Sequence, residues 1–576
     1  MLLHAFCLPR FSNSRGISTP TLLQCKHPPR FDGMSRLEPR RLVKDAEKRR
    51  LVLCSSQMDN RSHICQTIHQ AIAGGVAVCA FALTSLVPSS AATAESVFLD
   101  GCLKSSKVCA GLTTPTTIPP LPTDFPTLKN LEPPSYREFT LANELTVFLV
   151  EDHELPIFRG TMLILGGSQA DPPSEVGLSS IVATVQRSGG TVALPYEKLD
   201  EALESVGAAI EAKSGVKATS FGFLGLAEDA PRVLELLSDV IRNPAMPEER
   251  LEQARALGLD AVRHRFDSAA GIPRRKMQEL LYGKDSPLAR QTTADGLRGI
   301  TREDLLRFVR TWQRPDAAVL GIAGDFDSDS MQSLITEVFQ GWEPAPGEPL
   351  QPPDLPPLED PEAAEAAAAE AAGAVYLVDK PGEREASVLI AEPGISLQDP
   401  DAPALDVLDD ILNGFGGRLF DEVRSKEGLS YSVYGGWETP PTHVGLFTAG
   451  ANTEDPAALI QAVESVLDGL LSDRPPTQLE IDAAKASAKN SFVFNFASPQ
   501  QQLSRILTYR VLGLPEDYFI QYQRAIEAVS REEIMAAAER HLHPGRQTIV
   551  VAGDERLVRP QLSGLGRPLR ELPLSP

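Results

Sequence analysis

The sequence predicts an α+β protein of two homologous lobes, each an antiparallel sheet with helices packed on one face. Three observations carry that prediction. Short strand-like runs alternate with helical periods across residues 135–343 and again across 374–556. A single tract at 344–373, first rich in proline and acid and then almost pure Ala and Glu, separates the two stretches. A set of residues also recurs at a constant spacing of 229 positions: Ile300-Thr301-Arg302-Glu303 against Val529-Ser530-Arg531-Glu532, Pro315 against Pro544, and Gly324-Asp325 against Gly553-Asp554. A spacing kept over that length is the mark of an internal duplication.

The elements justify themselves in order. Glu138–Thr140 and Leu145–Val150 alternate as two strands joined at Asn143-Glu144, and Thr161–Leu165 is a third. Helical periods follow at Ser174–Arg187, Tyr196–Val206 and Asp229–Ile241. Between the last two lie strand-like runs at Ala209–Ala212 and Ala218–Leu224. Strands and helices arranged this way pack as helices against one side of an antiparallel sheet. Thr301 and Ser530, each with acids in the following turn, are expected to be equivalent helix N-caps.

Outside the lobes the chain divides into a leader at 1–94, a proline-rich linker at 95–134 and a tail at 557–576. The leader carries 12 basic against 5 acidic residues, whereas the rest carries 43 against 72. An acidic body repels phosphates, which excludes nucleic acid as a partner. The first 70 residues have the Arg- and Ser-rich composition of a transit peptide. The 17-residue apolar run Ala71–Val87 and the small-x-small site Ala92-Thr93-Ala94 follow. That order resembles the two-part leader of thylakoid lumen proteins. The lumen of a chloroplast is therefore the expected location; the stroma, the thylakoid membrane and the mitochondrion are the alternatives. An uncleaved 71–87 would instead associate with a membrane, although 17 residues is short for a span. All seven cysteines lie within the first 109 residues, so neither lobe has a cysteine nucleophile or a cysteine zinc site. Cys102 and Cys109 either close a small disulfide loop or remain thiols.

The run LANELTVFLVEDHELPIFRGTMLILGGSQADPPSEVGLSSIVATVQRSGGT, from residue 141, resembles the opening of insulinase/pitrilysin-type zinc peptidases, the mitochondrial processing peptidases among them. GFGGRLFDEVRSKEGLSYSV in the second half is similar to the same family. The resemblance spans roughly residues 135–556. It implies a zinc site H-x-x-E-H, in which two histidines one turn apart bind the metal and the glutamate serves as base. This chain departs from it. Where the family reads G-L-A-H-x-x-E-H, it has Gly177-Leu178-Ser179-Ser180-Ile181-Val182-Ala183-Thr184, so Ser180, Ala183 and Thr184 replace both ligands and the base. The nearest match to the family's third ligand is Asp260. Beyond the leader no other histidine restores the motif: His153, His264 and His443 stand apart, and His541-x-His543 lies at a helix end. No metal is expected on this chain, and peptidase activity is not expected of it alone.

The resemblance also implies an Arg–Tyr pair, seven residues apart, that holds the substrate backbone. Here it is Arg424 and Tyr431, preceded by the glycine-rich turn that contains Gly416 and Gly417. The residues by themselves also allow Arg418 and Arg424 to pair with Asp421, Glu422 or Glu427, and Tyr431 to pack on the core. The family reading makes the chain a non-catalytic, substrate-holding subunit of a heterodimeric zinc metalloendopeptidase, with peptide as substrate and zinc carried by a partner subunit of the same family. The alternative is a structural core subunit of an organellar membrane complex.

Overall fold

The computed structural model describes residues 135–344, 346–347, 372–414 and 416–575. The leader, the proline-rich linker, Phe415 and nearly all of 344–373 lie outside the described residues.

The first sheet has six strands: β1 (Arg137–Thr140), β2 (Thr146–Glu151), β3 (Ile157–Leu165), β4 (Ala209–Ser214), β5 (Ala218–Leu226) and β6 (Ala318–Gly324), in the order β1-β2-β6-β3-β5-β4. The second has β7 (Val375–Asp379), β8 (Ala386–Pro393), β9 (Val433–Trp437), β10 (Leu446–Thr453), β11 (Thr548–Gly553) and β12 (Leu569–Glu571), in the order β12-β7-β11-β8-β10-β9. Five strands correspond one to one between the sheets, as the duplication requires. The sixth differs. β1 enters antiparallel from the N-terminal side, while β12 enters parallel from residues read in the sequence as a tail. Both sheets are mixed rather than purely antiparallel, because β2–β6 and β7–β11 are parallel pairs. In each, a late strand of the lobe, β6 or β11, is inserted beside an early strand of the same direction, a pairing that short-range patterning does not reveal.

Helix boundaries follow local chemistry. The helix expected from Ser174 starts instead at Leu178, because Gly177 takes φ +104, a conformation that glycine adopts readily. Asp171 then accepts the N–H groups of Gly177 and Ser179, both at 2.8 Å. Thr301 and Ser530 both cap helices (Arg302–Trp312 and Arg531–His541) through reciprocal capping boxes with Asp304 and Glu533.

Each lobe's own helices cover one face of its sheet. In the first lobe, Val233, Leu234 and Leu237 of the Ala230–Arg242 helix pack on Phe158, Met162 and Leu320. The opposite face of each sheet is covered by the other lobe. Leu503 and Leu507, on the Pro499–Leu512 helix, pack on Phe148, Val150, Val319 and Ala323 of the first sheet. Ile272, Met277 and Leu281, on the Ile272–Tyr282 helix, pack on Tyr376, Leu389 and Val550 of the second. This exchange explains why β6 and β11 are buried along their whole length, as strands covered on both faces are. Gly321 permits the close approach: a Cβ there would stand 2.7 Å from Leu507 Cδ1 and 2.8 Å from Leu503 Cδ1.

Candidate functional site

The Leu178–Ser188 helix buries Leu178, Ile181, Val182 and Val185 against Leu251 and Ala254 of the neighbouring Glu248–Arg263 helix. That packing fixes the helix rotation. Ser180 and Thr184, one turn apart, face outward together, and Ala183 is buried at 1% exposure. The Thr184 hydroxyl donates to the Ser180 carbonyl at 2.9 Å, so it is already occupied by its own helix. Asp260 is exposed on the adjacent helix, with Oδ1 3.4 Å from His264 Nε2. The same imidazole meets Asp267 at 2.6 Å, and the hydrogen bond to Asp267 raises its pKa, which favours the cation that pairs with both acids. The donor set does not fit zinc. Two neutral hydroxyls, a buried methyl and an acid engaged by a histidine cannot hold the ion or activate a water on it.

His541 and His543 do not form a shared site. His541 Nε2 lies 2.8 Å from Asp401 Oδ2, and His543 Nδ1 lies 2.8 Å from Glu392 Oε2. Asp399, Asp401 and His541 are the one group among the described residues whose ligand atoms converge within 4.8 Å. There Arg540 already forks onto Asp401 at 2.8 and 2.6 Å, placing a fixed cation on the central carboxylate.

The second lobe brings Arg424 and Tyr431 together. Phe420–Lys426 is wound as a π-helical turn with buried Val423 as its anchor. Gly428, at φ +64, then reverses the chain toward β9. The guanidinium carbon of Arg424 lies 4.4 Å from the centre of the Tyr431 ring and 4.8 Å from that of Phe420. Two aromatic faces thus hold one planar cation, a contact worth about 0.5–1 kcal/mol where exposed. Tyr431 is 80% exposed and does not pack on the core. Phe420 is a member of this cluster that sequence reasoning missed; its signal was an aromatic four residues before the arginine on a helical segment.

Arg418 does something else. Its fork meets Glu480 at 2.8 and 2.9 Å and also reaches the carbonyls of Arg474 and Pro475. That hydrogen-bonded pairing is the main reason the Glu480 carboxyl is held down to about 2. Glu480 is also the reciprocal partner of Thr477 at the start of the Gln478–Phe492 helix. Arg418 therefore ties the turn to that helix. Gly416 and Gly417 precede it, each for its own reason. Gly416 takes φ +80, and a Cβ at buried Gly417 would lie 2.6 Å from the Leu412 carbonyl oxygen. Asn413, just before them, accepts the Gly435 N–H at 2.8 Å and donates back to the Gly435 carbonyl, pinning the turn to β9.

Both halves of the chain have known relatives. A family model described as Insulinase (Peptidase family M16) matches residues 146–275, and one described as Peptidase M16 inactive domain matches residues 299–488. An uncharacterised zinc protease of Mycobacterium tuberculosis is 26% identical over 359 residues, covering 61% of this chain and 78% of that protein. The uncharacterised zinc protease YmxG of Bacillus subtilis is 23% identical over 377 residues, covering 64% and 86%. Among solved structures, the fold is similar to a peptidase M16 inactive domain from Pseudomonas fluorescens, 22% identical with a TM-score of 0.62, covering 73% of this chain and 98% of that one. It is also similar to a protease from Helicobacter pylori, 18% identical with a TM-score of 0.63, covering 73% and 100%. With residues 146–275 and 299–488 matched in turn by models of one family and its fold shared with that family's solved members, this chain belongs to the insulinase-type peptidases, family M16.

Proposed function

We propose that this family member is a non-catalytic subunit that holds peptide substrate for a zinc-bearing partner of its own family, the two forming a heterodimeric metalloendopeptidase in a plastid. One observation carries the reading. The lobe that lacks zinc ligands at Ser180, Ala183 and Thr184 is joined to a lobe in which Arg424 is clasped between Phe420 and an exposed Tyr431. A guanidinium can fork onto peptide carbonyls, and a phenol can donate to a developing oxyanion. The zinc and the base would come from the partner. The basic, acid-poor leader supports the plastid, with the thylakoid lumen first.

The test mixes the chain with an H-x-x-E-H-bearing family member from the same organism and follows assembly and peptide cleavage. Tyr431→Phe should assemble normally and lower turnover of the mixed complex by about 10²–10³, the usual loss for one oxyanion-type donor. Full turnover in that complex would leave the chain a structural role only.

A further inference from the structure

The helix lent by the second lobe covers β2 and β6 on the inner face of the first sheet and reaches β3 at Leu163. Beyond that line the inner face is open. Arg159 of β3, Leu224 and Leu226 of β5 and Lys213 of β4 stand on it, because alternate residues of a strand share a face. Leu224 is 51% exposed and Leu226 42%. Arg159 and Lys213 are exposed as well, and neither side chain has an ion-pair or hydrogen-bond partner among the described residues.

The second sheet shows what closing this face takes. Gly222 and Gly450 hold matching places: Gly222 pairs with Thr161 of β3 and Glu211 of β4, Gly450 with Leu389 of β8 and Tyr434 of β9. Tyr434 lays its hydroxyl 3.2 Å from the point where a Cβ on Gly450 would stand, and Gly450 is buried. In the first sheet Glu211 takes the place of Tyr434, and a Cβ on Gly222 would meet nothing within 4 Å. The duplicated surface is therefore filled in one lobe and open in the other.

Its charge also sets it apart. The three strands and the hairpin tip between β4 and β5 carry Arg159, Lys213 and Lys217 against a single acid, Glu211, whereas the chain beyond the leader carries 43 basic against 72 acidic residues. Unpaired cations beside exposed leucines, on an otherwise acidic body, suit an occupant that is both anionic and apolar. By register, Arg159 and Lys213 stand two strands and four residues apart. That separates their backbones by roughly 17 Å, the reach of about five extended residues. One carboxylate cannot meet both cations, but an extended chain bearing several can. We propose that this open face of β3, β5 and β4 binds an extended acidic peptide, with its carboxylates on Arg159 and Lys213 and its apolar side chains on Leu224 and Leu226. The proposal rests on the substrate-holding reading for the source of such a peptide. Its test uses the chain alone, without partner or turnover, so the two can fail separately.

Fluorescence anisotropy of a dye-labelled repeat of Glu-Ser-Leu-Ser, whose glutamates and leucines share one face when extended, tests it on the full chain. The peptide should bind saturably, and about 1 M salt, where the screening length is about 3 Å, should weaken it. The Gln-for-Glu peptide should bind about fivefold or more weakly, and Arg159→Gln and Lys213→Gln should each cost about two- to fivefold. Gly222→Glu is the sharpest variant. Its side chain enters open space, so the thermal melt should match the parent, while its carboxylate should weaken acidic-peptide binding by about tenfold or more. Equal affinity for the Gln-for-Glu peptide would overturn the proposal, as would unchanged affinity in Gly222→Glu. So would binding that appears only once the acids of residues 348–370 are replaced by amides, since the chain's own acidic tract would then be the occupant.

Discussion

Replacing Arg418 with alanine should loosen the turn that presents Arg424, and the structure sets the size of the effect. Arg418 holds Glu480 bidentately, and the Glu480 carboxyl falls from its ordinary 4.5 to about 2. A shift of that size corresponds to at most ~3 kcal/mol of folding stability at neutral pH. Because the Glu480 side chain is 32% exposed, solvent screening reduces this to ~1–2 kcal/mol. The sign follows from the direction. A carboxyl depressed in the folded state contributes its full stabilisation above 4.5 and loses it as pH falls toward 2. Arg418→Ala should therefore lower the urea midpoint at neutral pH, and its deficit relative to the parent should shrink through that window. Arg418→Lys should recover only part, since an ammonium lacks the fork. Denaturation curves at several pH values, read with the Arg418→Ala/Glu480→Gln double-mutant cycle, measure the coupling. A deficit under ~0.3 kcal/mol at neutral pH, or one that does not change on acidification, would refute the reasoning.

Three further expectations follow from the packing and chemistry. Leu507→Ala should cost about 2–5 kcal/mol in a thermal or urea melt, because it opens a cavity between the first sheet and the helix lent by the second lobe. Thr301→Ala and Ser530→Ala should each cost about 0.5–2 kcal/mol, and by similar amounts, since both remove one side of a capping box. The purified chain should hold no stoichiometric zinc by elemental analysis and cleave no peptide alone; one tightly bound zinc per chain would contradict the account of Ser180, Ala183 and Thr184.

Much of the fold was readable because it is written in local chemistry. Strands β1 to β5 lie within a few residues of their expected positions, since period-two alternation follows from a sheet with one face toward helices. The N-caps at 301 and 530 needed only a hydroxyl and an acid three residues on. The Ser174 start failed at a glycine whose backbone sign is set by the chain around it. Of the candidate site, Arg424 and Tyr431 were singled out by the family resemblance, since their spacing alone also allowed helix ion pairs and core packing. Their contact through the Phe420 sandwich was not, because a π-helical turn changes which residues face one another.

By itself, the sequence determined the duplication and the two lobes, through residues repeated at a constant offset of 229 positions, and the absence of an H-x-x-E-H string from the lobes, all of which depend only on residue identity and position along the chain. Only the tertiary structure decided what covers the backs of the sheets. A run such as Ala318–Gly324 states that both faces are buried but does not name the distant segment that buries them. The structure likewise decided the partner of Arg418, which passes over three acids within nine residues for one 62 positions away. It also decided that the face of β3, β5 and β4 around Arg159 and Leu224 stays open, since the helix that covers β2 and β6 stops short of it. The reason is common to all three. Burial and charge pairing are set by which surfaces meet in space, and nothing in short-range periodicity records those meetings.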